Sequence, residues 1–432
     1  MKKLLTFTAL ASVMAVANAN AAGFHLREQS AAALGNAFAG ATAGAENNSY
    51  AYFNVAGLTR QKGTQLNVGG TYIAPEASAS NIKNNGGNGE TSDVHNIVHS
   101  AVAPNMSYSH QINDKYTFGL GVNIPFGMIT KYDSRWAGSD HGVTSKVTAV
   151  TTTPMIAYKA TDKLSLGAGL PIQYFKARLT STALKGNADV ALEGDSVDVG
   201  YQLGMMYEFN DKTRIGVGYR SEINHKLKGE IESKNMSTVA TGAAMLQGAP
   251  LGMAMAAGAQ AGAAYNQDIS ARIDTPAMFS VGAYHEINDK WAVMAEYQRV
   301  FWNSFDSIDI YGQERGGLLS STPENWEDAN FYAVGASYKI DDQWKLRLGL
   351  AYDDAAVKLD YRTPRIPDSR RLWYSAGLGY QYNEKLSFDM AFTYIQAKEA
   401  SIDLAPSEKS AGVTADYENS VKIWGLSLNY KF

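Results

Sequence analysis

The 432-residue sequence has no cysteine, a formal net charge of −4 and 45% hydrophobic residues, with 40 Gly, 25 Tyr and 15 Phe. Without cysteine there is no disulfide scaffold; the mildly acidic balance excludes a strongly basic nucleic-acid binder. The apolar content excludes a disordered chain.

Met1-Lys2-Lys3 followed by an apolar run from Leu4 to Ala17 reads as a secretory signal peptide. Ala19-Asn20-Ala21 is a cleavage site of the A-x-A kind, with Ala17-Asn18-Ala19 as a second option, so residues 1–21 are expected to be removed. The run is shorter than the ~18 apolar residues a helical anchor needs, and no later run reaches that length.

Residues 22–63 do not alternate between apolar and polar. Leu34-Gly35-Asn36-Ala37-Phe38-Ala39-Gly40 is small and helix-compatible, and Phe53-Asn54-Val55-Ala56-Gly57-Leu58 follows it. Such a segment either sits in the periplasm or fills a lumen, and a lumen plug is the favoured reading because a wide barrel interior must be filled or conduct water.

From residue 64 to 432 the chain changes character. Asn113-Asp114-Lys115, Thr161-Asp162-Lys163, Asn210-Asp211-Lys212, Asn288-Asp289-Lys290, Asp341-Asp342-Gln343 and Asn383-Glu384-Lys385 each sit between two alternating segments. Asn and Asp suit tight turns because they bond their own backbone. After the first turn Tyr116, Phe118, Leu120 and Val122 alternate with Thr117, Gly119, Gly121 and Asn123. The last segment behaves alike, with Trp424, Leu426, Leu428, Tyr430 and Phe432 on one face and Gly425, Ser427, Asn429 and Lys431 on the other. An apolar face nearly free of charge is what lipid demands, since a charge at its middle costs roughly 2–4 kcal/mol. Six hairpins, a strand near Gln65–Ile73 and the closing strand give an all-β transmembrane antiparallel barrel of about fourteen strands. Short turns and the C-terminus then lie on the periplasmic side of a Gram-negative outer membrane.

Four prolines interrupt consecutive strands: Pro104, Pro125, Pro154 and Pro171. Proline donates no ladder hydrogen bond, so either the wall is weakened here or the prolines mark where strands leave the membrane. Simple parity puts Asn123, Pro125 and Gly127 together on the inner face of the third strand, where it could bend and bulge. The interval from Met236 to Ala264 is uncharged and rich in Ala, Gly and Met. Its Leu246, Leu251, Met253 and Met255 offer adaptable apolar contacts, and with residues near Thr180–Asp195 they form a candidate capture groove or simply pack on themselves.

The Gly23-Phe24 leader, the Leu34–Gly40 block and Asn54-Val55-Ala56-Gly57-Leu58 resemble the N-terminal hatch of the FadL family of long-chain fatty acid transporters. So do Pro125-Phe126-Gly127, Trp136-Ala137-Gly138, and Pro154 to Tyr158 running into the Asp162-Lys163-Leu164 turn. Val55 departs from the family's usual proline. The resemblance implies a monomeric barrel with a helical hatch that includes Leu34, Gly35, Phe38, Gly40, Asn54, Val55 and Ala56. It implies capture of hydrophobic compounds at the outer loops and lateral release beside a kinked third strand at Asn123, Pro125, Phe126 and Gly127. Tyr174-Phe175-Lys176-Ala177-Arg178 resembles the segment that meets the carboxylate, although strict alternation turns Lys176 and Arg178 toward lipid. Either a bulge follows Pro171 or these two side chains contact anionic lipid such as lipopolysaccharide.

Parity gives lumen-facing cations at Arg220, Lys345 and Arg347, with Glu222, Glu296 and Asp389 as possible partners; wall-to-plug ion pairs are their favoured role. Seven scattered His carry no metal spacing, and His99-Ser100 is a poor match to a lipase dyad. No catalytic residue, metal or cofactor is expected. The sequence therefore reads as a passive channel for long-chain fatty acids or related compounds, with an aromatic-hydrocarbon importer and a structural or adhesive barrel as rivals. Its other expected partners are outer-membrane lipid and the barrel-assembly machinery, through the C-terminal strand.

Overall fold

The computed structural model describes residues 23–432 apart from 88, 185, 314–316 and 408–409; the leader, with its cleavage sites, and residue 22 lie outside these. The wall is a closed antiparallel barrel of fourteen strands. The first four are continuous: β1 (Thr64–Asn85), β2 (Ala101–Gln111), β3 (Tyr116–Lys131) and β4 (Thr144–Lys159). The next six are each built from two pieces: β5 (Leu164–Gly169 and Ile172–Ala183), β6 (Ala188–Val199 and Gln202–Asn210), β7 (Thr213–Arg220 and Ile223–Lys234), β8 (Gln267–Thr275 and Met278–Glu286), β9 (Trp291–Val300 and Ser307–Gly312) and β10 (Gly317–Pro323 and Ala329–Lys339). The last four are β11 (Trp344–Asp353), β12 (Arg371–Gln381), β13 (Leu386–Ala397 and Ala400–Leu404) and β14 (Gly412–Lys431). Pairing of β1 with β14, from Gln65 against Lys431 to Asn85 against Gly412, closes the ring.

The turns fold as their composition dictates. The side-chain oxygen of Asn113 accepts the amides of Lys115 and Tyr116 at 2.9 and 3.0 Å. Thr161, Asn288, Asp341 and Asn383 each take the corresponding pair of amides. Such turns satisfy backbone donors locally and fix strand register. Outside the wall, Tyr116 stacks on Tyr158 at 4.9 Å and Trp344 lies 4.4 Å from Tyr380 beside these turns. Tyr72, Trp424 and Phe392 form a second aromatic group further along the barrel, as girdles at both interfaces require.

The breaks in successive strands line up into a crease. Strand β5 is interrupted at Leu170-Pro171, β6 at Gly200-Tyr201, β7 at Ser221-Glu222 and β8 at Pro276-Ala277. Bonds across it include Gly200 donating to the Pro171 carbonyl at 2.9 Å, Ser221 to the Tyr201 carbonyl at 2.9 Å and the Tyr201 amide to Ser221 Oγ at 2.9 Å. Two of these sites are prolines, which remove ladder donors there.

Residues 23–63 lie inside the barrel as short turns: α1 (Ala31–Leu34), α2 (Ala41–Gly44) and two 3₁₀ turns, Asn48–Tyr52 and Val55–Arg60. Ser30 caps α1 by accepting the Ala33 amide at 3.3 Å, and Asn54 caps the last turn by accepting the Ala56 amide at 3.0 Å. Leu34, Phe38, Tyr50 and Phe53 are buried against Met294, Phe331, Trp373 and Ile423 of the wall. The inner wall is worn down to glycine where this hatch presses on it. A Cβ on Gly349 would sit 2.1 Å from the Asn36 carbonyl, and one on Gly204 would sit 2.2 Å from Asn54 Oδ1.

The fourth outer loop folds into a helical hairpin, α3 (Met236–Leu246) and α4 (Leu251–Ala264). The two helices pack through Gly258 and Gly262 against Thr241 and Ser237. Met236 anchors the hairpin to Ala188, Val190, Ile231 and Ile269.

Candidate functional site

The ladder between β2 and β3 stops at Met106 paired with Val122. Beyond it, β2 remains paired with β1 up to Ala101, and β3 remains paired with β4 up to Lys131. A seam therefore opens in the wall from the level of Asn105 and Asn123 upward. Loop residues close it again at the top, where Val98 bridges Thr130 and Lys131 donates to Ile97 at 2.7 Å.

Strand β3 bulges where the seam begins. Asn123 faces Thr151 and Phe126 faces Ala149, so Ile124 and Pro125 oppose Val150 alone. The extra residue reverses the phase, which corrects the parity expectation. Asn123 faces the lumen in the first phase, whereas beyond the bulge Phe126 and Met128 face it and Gly127 turns to the outer side beside Thr148.

The hatch fills the seam with backbone. Leu26 donates to the Pro125 carbonyl at 2.8 Å, and Gly127 donates to the Phe24 carbonyl at 3.0 Å. The Gln29 side chain completes the patch: its Nε2 donates to the Ile124 carbonyl at 2.7 Å, and its Oε1 accepts the Ile124 amide at 3.1 Å. The β3 edge thus finds partners in a hatch segment rather than in a neighbouring wall strand.

Above this contact lies an apolar chamber. Phe24 packs edge-on against Trp302 at 4.9 Å, Phe126 at 5.7 Å, Phe305 at 5.8 Å and Trp326 at 5.9 Å. Val147, Phe175, Ile273 and Ile366 extend the lining. The void there is about 30 Å³ and is bordered also by Glu324 and Arg365. A second void of about 30 Å³ shares Ala177, Leu179, Ile273 and Ile308 with it and continues among Leu192, Leu227 and Ile269. The loop between β11 and β12 forms the roof, clamped by a hydrogen bond from Tyr132 Oη to the Pro364 carbonyl at 2.7 Å. Concavities on the outer wall are a different matter: the one of about 660 Å³ among Val334, Leu348, Leu350 and Tyr374 faces lipid.

Beneath the chamber the hatch is held by charge. Arg27 lies 3.4 Å from Asp353 and 3.9 Å above the Phe331 ring. Arg371 pairs with Asp353 and Asp368, and Asp368 also accepts the Gly23 amide at 3.1 Å. Burial pushes the Glu28 carboxyl up to about 7. Burial, then Arg27 and Arg220, hold His25 well below its usual range. Lower down, Arg347 reaches Glu46 at 2.7 Å and Asp389 at 3.0 Å, with Lys345 3.3 Å from Glu46. Against the cost of burial, Arg347 and Lys345 hold the Glu46 carboxyl below the usual carboxylate range.

The family described as outer membrane protein transport protein (OMPP1/FadL/TodX) matches residues 12–432. The chain belongs to this family. A 47 kDa outer membrane protein of Pasteurella multocida is 30% identical over 99% of the chain and 98% of that protein. The long-chain fatty acid transport protein of Escherichia coli K12 is 27% identical over 100% of the chain and 99% of that protein. The crystal structure of a Pseudomonas aeruginosa FadL homologue superposes with a TM-score of 0.84 at 24% identity, covering 95% of this chain and 99% of that one. The Ralstonia pickettii toluene transporter TbuX follows the same fold with a TM-score of 0.66 at 18% identity, covering 94% and 99%. The protein is a barrel of the Gram-negative outer membrane.

Within this FadL/TodX-family barrel the sequence-derived residues divide. Leu34, Gly35, Phe38, Gly40, Asn54, Val55 and Ala56 are all buried in the lumen. Val55 is the first residue of its 3₁₀ turn, where the family's proline would also fit; Asn54 Nδ2 supplies the docking, donating to Thr42 and Met205 carbonyls at 2.8 and 2.9 Å. Lys345, Arg347 and Asp389 tie wall to hatch, Arg220 donates to the Tyr52 carbonyl, and Glu296 accepts the Thr42 amide at 3.1 Å. Glu222 instead accepts from Asn224 on its own strand.

Two groups fall elsewhere. Lys176 and Arg178 lie on the outer face and pair with Glu193 of β6. The interruption at Leu170-Pro171 preserves parity, so Phe175 and Ala177 face the chamber instead. Leu246, Leu251, Met253 and Met255 are exposed on the helical hairpin, Leu246 at 92%, and border none of the chamber voids. Arg365 and Glu324 were not singled out by sequence, because both lie in irregular loops where no periodicity assigns a face.

Proposed function

We propose that this barrel takes up long-chain fatty acids and similar hydrophobic molecules, which enter the apolar chamber and leave sideways through the β2–β3 seam. The observation that carries this reading is the seam itself: a stretch of β3 edge is satisfied by a hatch segment, beside a chamber lined by aromatic and aliphatic side chains. Each buried CH₂ contributes about 0.8 kcal/mol, which favours an alkyl chain entering in place of the hatch contacts at Phe24. The E. coli relative's name supports the fatty-acid reading, and the TbuX title supports a rival in which aromatic hydrocarbons are the cargo. Lys176 and Arg178, facing outward, suit contact with lipopolysaccharide phosphates, and the strand ending in Phe432 suits recognition by the assembly machinery.

Uptake of radiolabelled oleate by cells that lack their own importer and express this protein tests the proposal. The protein should support saturable uptake that excess toluene does not compete away. Uptake no faster than in cells without the barrel contradicts it, and full competition by toluene favours the aromatic rival.

A further inference from the structure

The ladder between β6 and β7 has a window in it. Above, it runs from Lys234 paired with Asp189 down to Lys228 paired with Asp195. Below, it resumes at Arg220 paired with Gln202. Between these levels Ser196 to Val199 keep their pairs with β5, and Ile223 to Leu227 keep theirs with β8. With a rise of about 3.3 Å per residue, such an edge leaves an opening roughly 13 Å tall. Its sill is the crease, where Ser221 and Tyr201 bond each other. Side chains cross the opening on its inner side: His225 Nδ1 lies 3.1 Å from Asp198 Oδ2 and 3.2 Å from Ser196 Oγ. Behind them His225 Nε2 is 2.8 Å from Gln173 Oε1, and the ring stacks on Phe175 at 4.6 Å.

The window has the chamber on one side and the membrane boundary on the other. Phe175 and Leu227 line the two chamber voids. Just above, Glu193, Gly194 and Gly229 border both an inner void and a concavity of about 610 Å³ on the outer side. Outside and below the crease β6 presents Leu203, Met205 and Tyr207; above it β7 presents Lys226, Lys228 and Glu230. That change from apolar to charged sets the window where lipid gives way to water. Its β6 edge exposes Val197 and Val199, and its β7 edge exposes Asn224 and Lys226. The other ways into the chamber are covered by backbone, the top by the β11–β12 loop through Tyr132 and the β2–β3 seam by the hatch. The geometry points to the β6–β7 window as the entrance of the chamber, admitting single-chain amphiphiles from the membrane surface when His225 swings off Asp198. The tail passes along the valine edge while the head group stays on the polar edge. This rests on the uptake reading above and adds the way in.

Val197 and Lys226 face outward on opposite edges of the window, and the chain has no native cysteine. Val197→Cys with Lys226→Cys, bridged by a short bis-maleimide that carries a reducible disulfide, shuts the window and reopens it on reduction. Stopped-flow tryptophan fluorescence of the barrel in lipid nanodiscs, with oleate as the probe, reports filling of the chamber beside Trp302 and Trp326. Bridging should slow association and dissociation alike, at least about tenfold, and leave the dissociation constant within about twofold, because closing a port changes the path and not its ends. Reduction should restore both rates. Unchanged rates in a fully bridged barrel overturn the assignment, and so does a bridge that weakens binding without slowing entry. His225→Ala removes the side chain across the window without any cross-link and should speed association at least about threefold; association no faster than in the wild type also overturns it. If oleate leaves the fluorescence of the wild-type protein unchanged, the uptake reading falls and the entrance with it. If oleate fills the bridged chamber at the unbridged rate, the entrance alone falls.

Discussion

Gly127 donates its backbone N–H to the Phe24 carbonyl at 3.0 Å, and this bond joins the hatch to the edge of β3 that no longer pairs with β2 at that height. A closed barrel normally leaves no strand edge. Here the edge is kept, and hydrogen bonds from the hatch cover it.

The fit between plug and wall depends on glycine. Replacing Gly349 by Val puts side-chain carbons into the Asn36 carbonyl, 2.1 Å from where a Cβ would lie. Overpacking of this kind costs roughly 1–3 kcal/mol, and the hatch, bound without covalent closure, is what yields. Planar-bilayer recording should show a raised ion conductance for Gly349→Val while the barrel keeps its heat-modifiable gel mobility. Wild-type conductance would show that the hatch is not seated on this glycine.

Glu46 and Arg347 make a buried hatch-to-wall ion pair at 2.7 Å. Glu46→Gln leaves Arg347 with Asp389 at 3.0 Å but removes its link to the plug. Breaking one side of a buried pair costs about 3–5 kcal/mol. Conductance should therefore appear at a lower urea concentration than in the wild type, with the barrel's own unfolding midpoint unmoved. An identical onset would contradict the latch.

Glu28 gives the hatch a pH dependence of the opposite sense to an ordinary carboxylate. Its carboxyl, pushed up by burial from 4.5 to about 7 in the docked hatch, is protonated there while an undocked one ionises. Between those values the docked state holds more protons, so docking weakens as pH rises from about 4.5 to 7, by an amount on the order of 3 kcal/mol. Hydrogen exchange of the amides from residue 24 to 29 should accelerate over that window, and Glu28→Gln should flatten the response. Protection independent of pH in the wild type would contradict it.

The outward pair Lys176 and Arg178 should be dispensable for transport. Both are about half exposed and bound to Glu193, and exposed pairs contribute about 0–1 kcal/mol. Lys176→Ala with Arg178→Ala should leave oleate uptake within about twofold of wild type. A tenfold loss would return them to the cargo path.

Sequence periodicity reached the barrel, its strand number, its turns and its plug, because lipid and lumen write a two-residue rhythm on every strand and the hatch lacks it. The same rhythm placed Lys345, Arg347 and Asp389 inside correctly. It failed at Gly127 because one bulged residue at Ile124-Pro125 exchanges the faces, and parity has no means of seeing an insertion opposite Val150. It also missed Arg365, whose position is set by a long-range hydrogen bond from Tyr132 to Pro364. Composition left the Leu246–Met255 stretch open between a capture groove and self-packing; the two helices meet through Gly258 and Gly262, while Leu246, Leu251, Met253 and Met255 stay exposed.

The seam itself can be tested in this cysteine-free chain. Asn105 and Asn123 are the first residues past the last β2–β3 pair, so Asn105→Cys with Asn123→Cys places two thiols across the opening for a short bis-maleimide. Oleate uptake in cells carrying the double variant should be near wild type before treatment and fall at least about tenfold once the seam is bridged, while single-cysteine controls are unaffected. Undiminished uptake through a fully cross-linked barrel would contradict sideways exit.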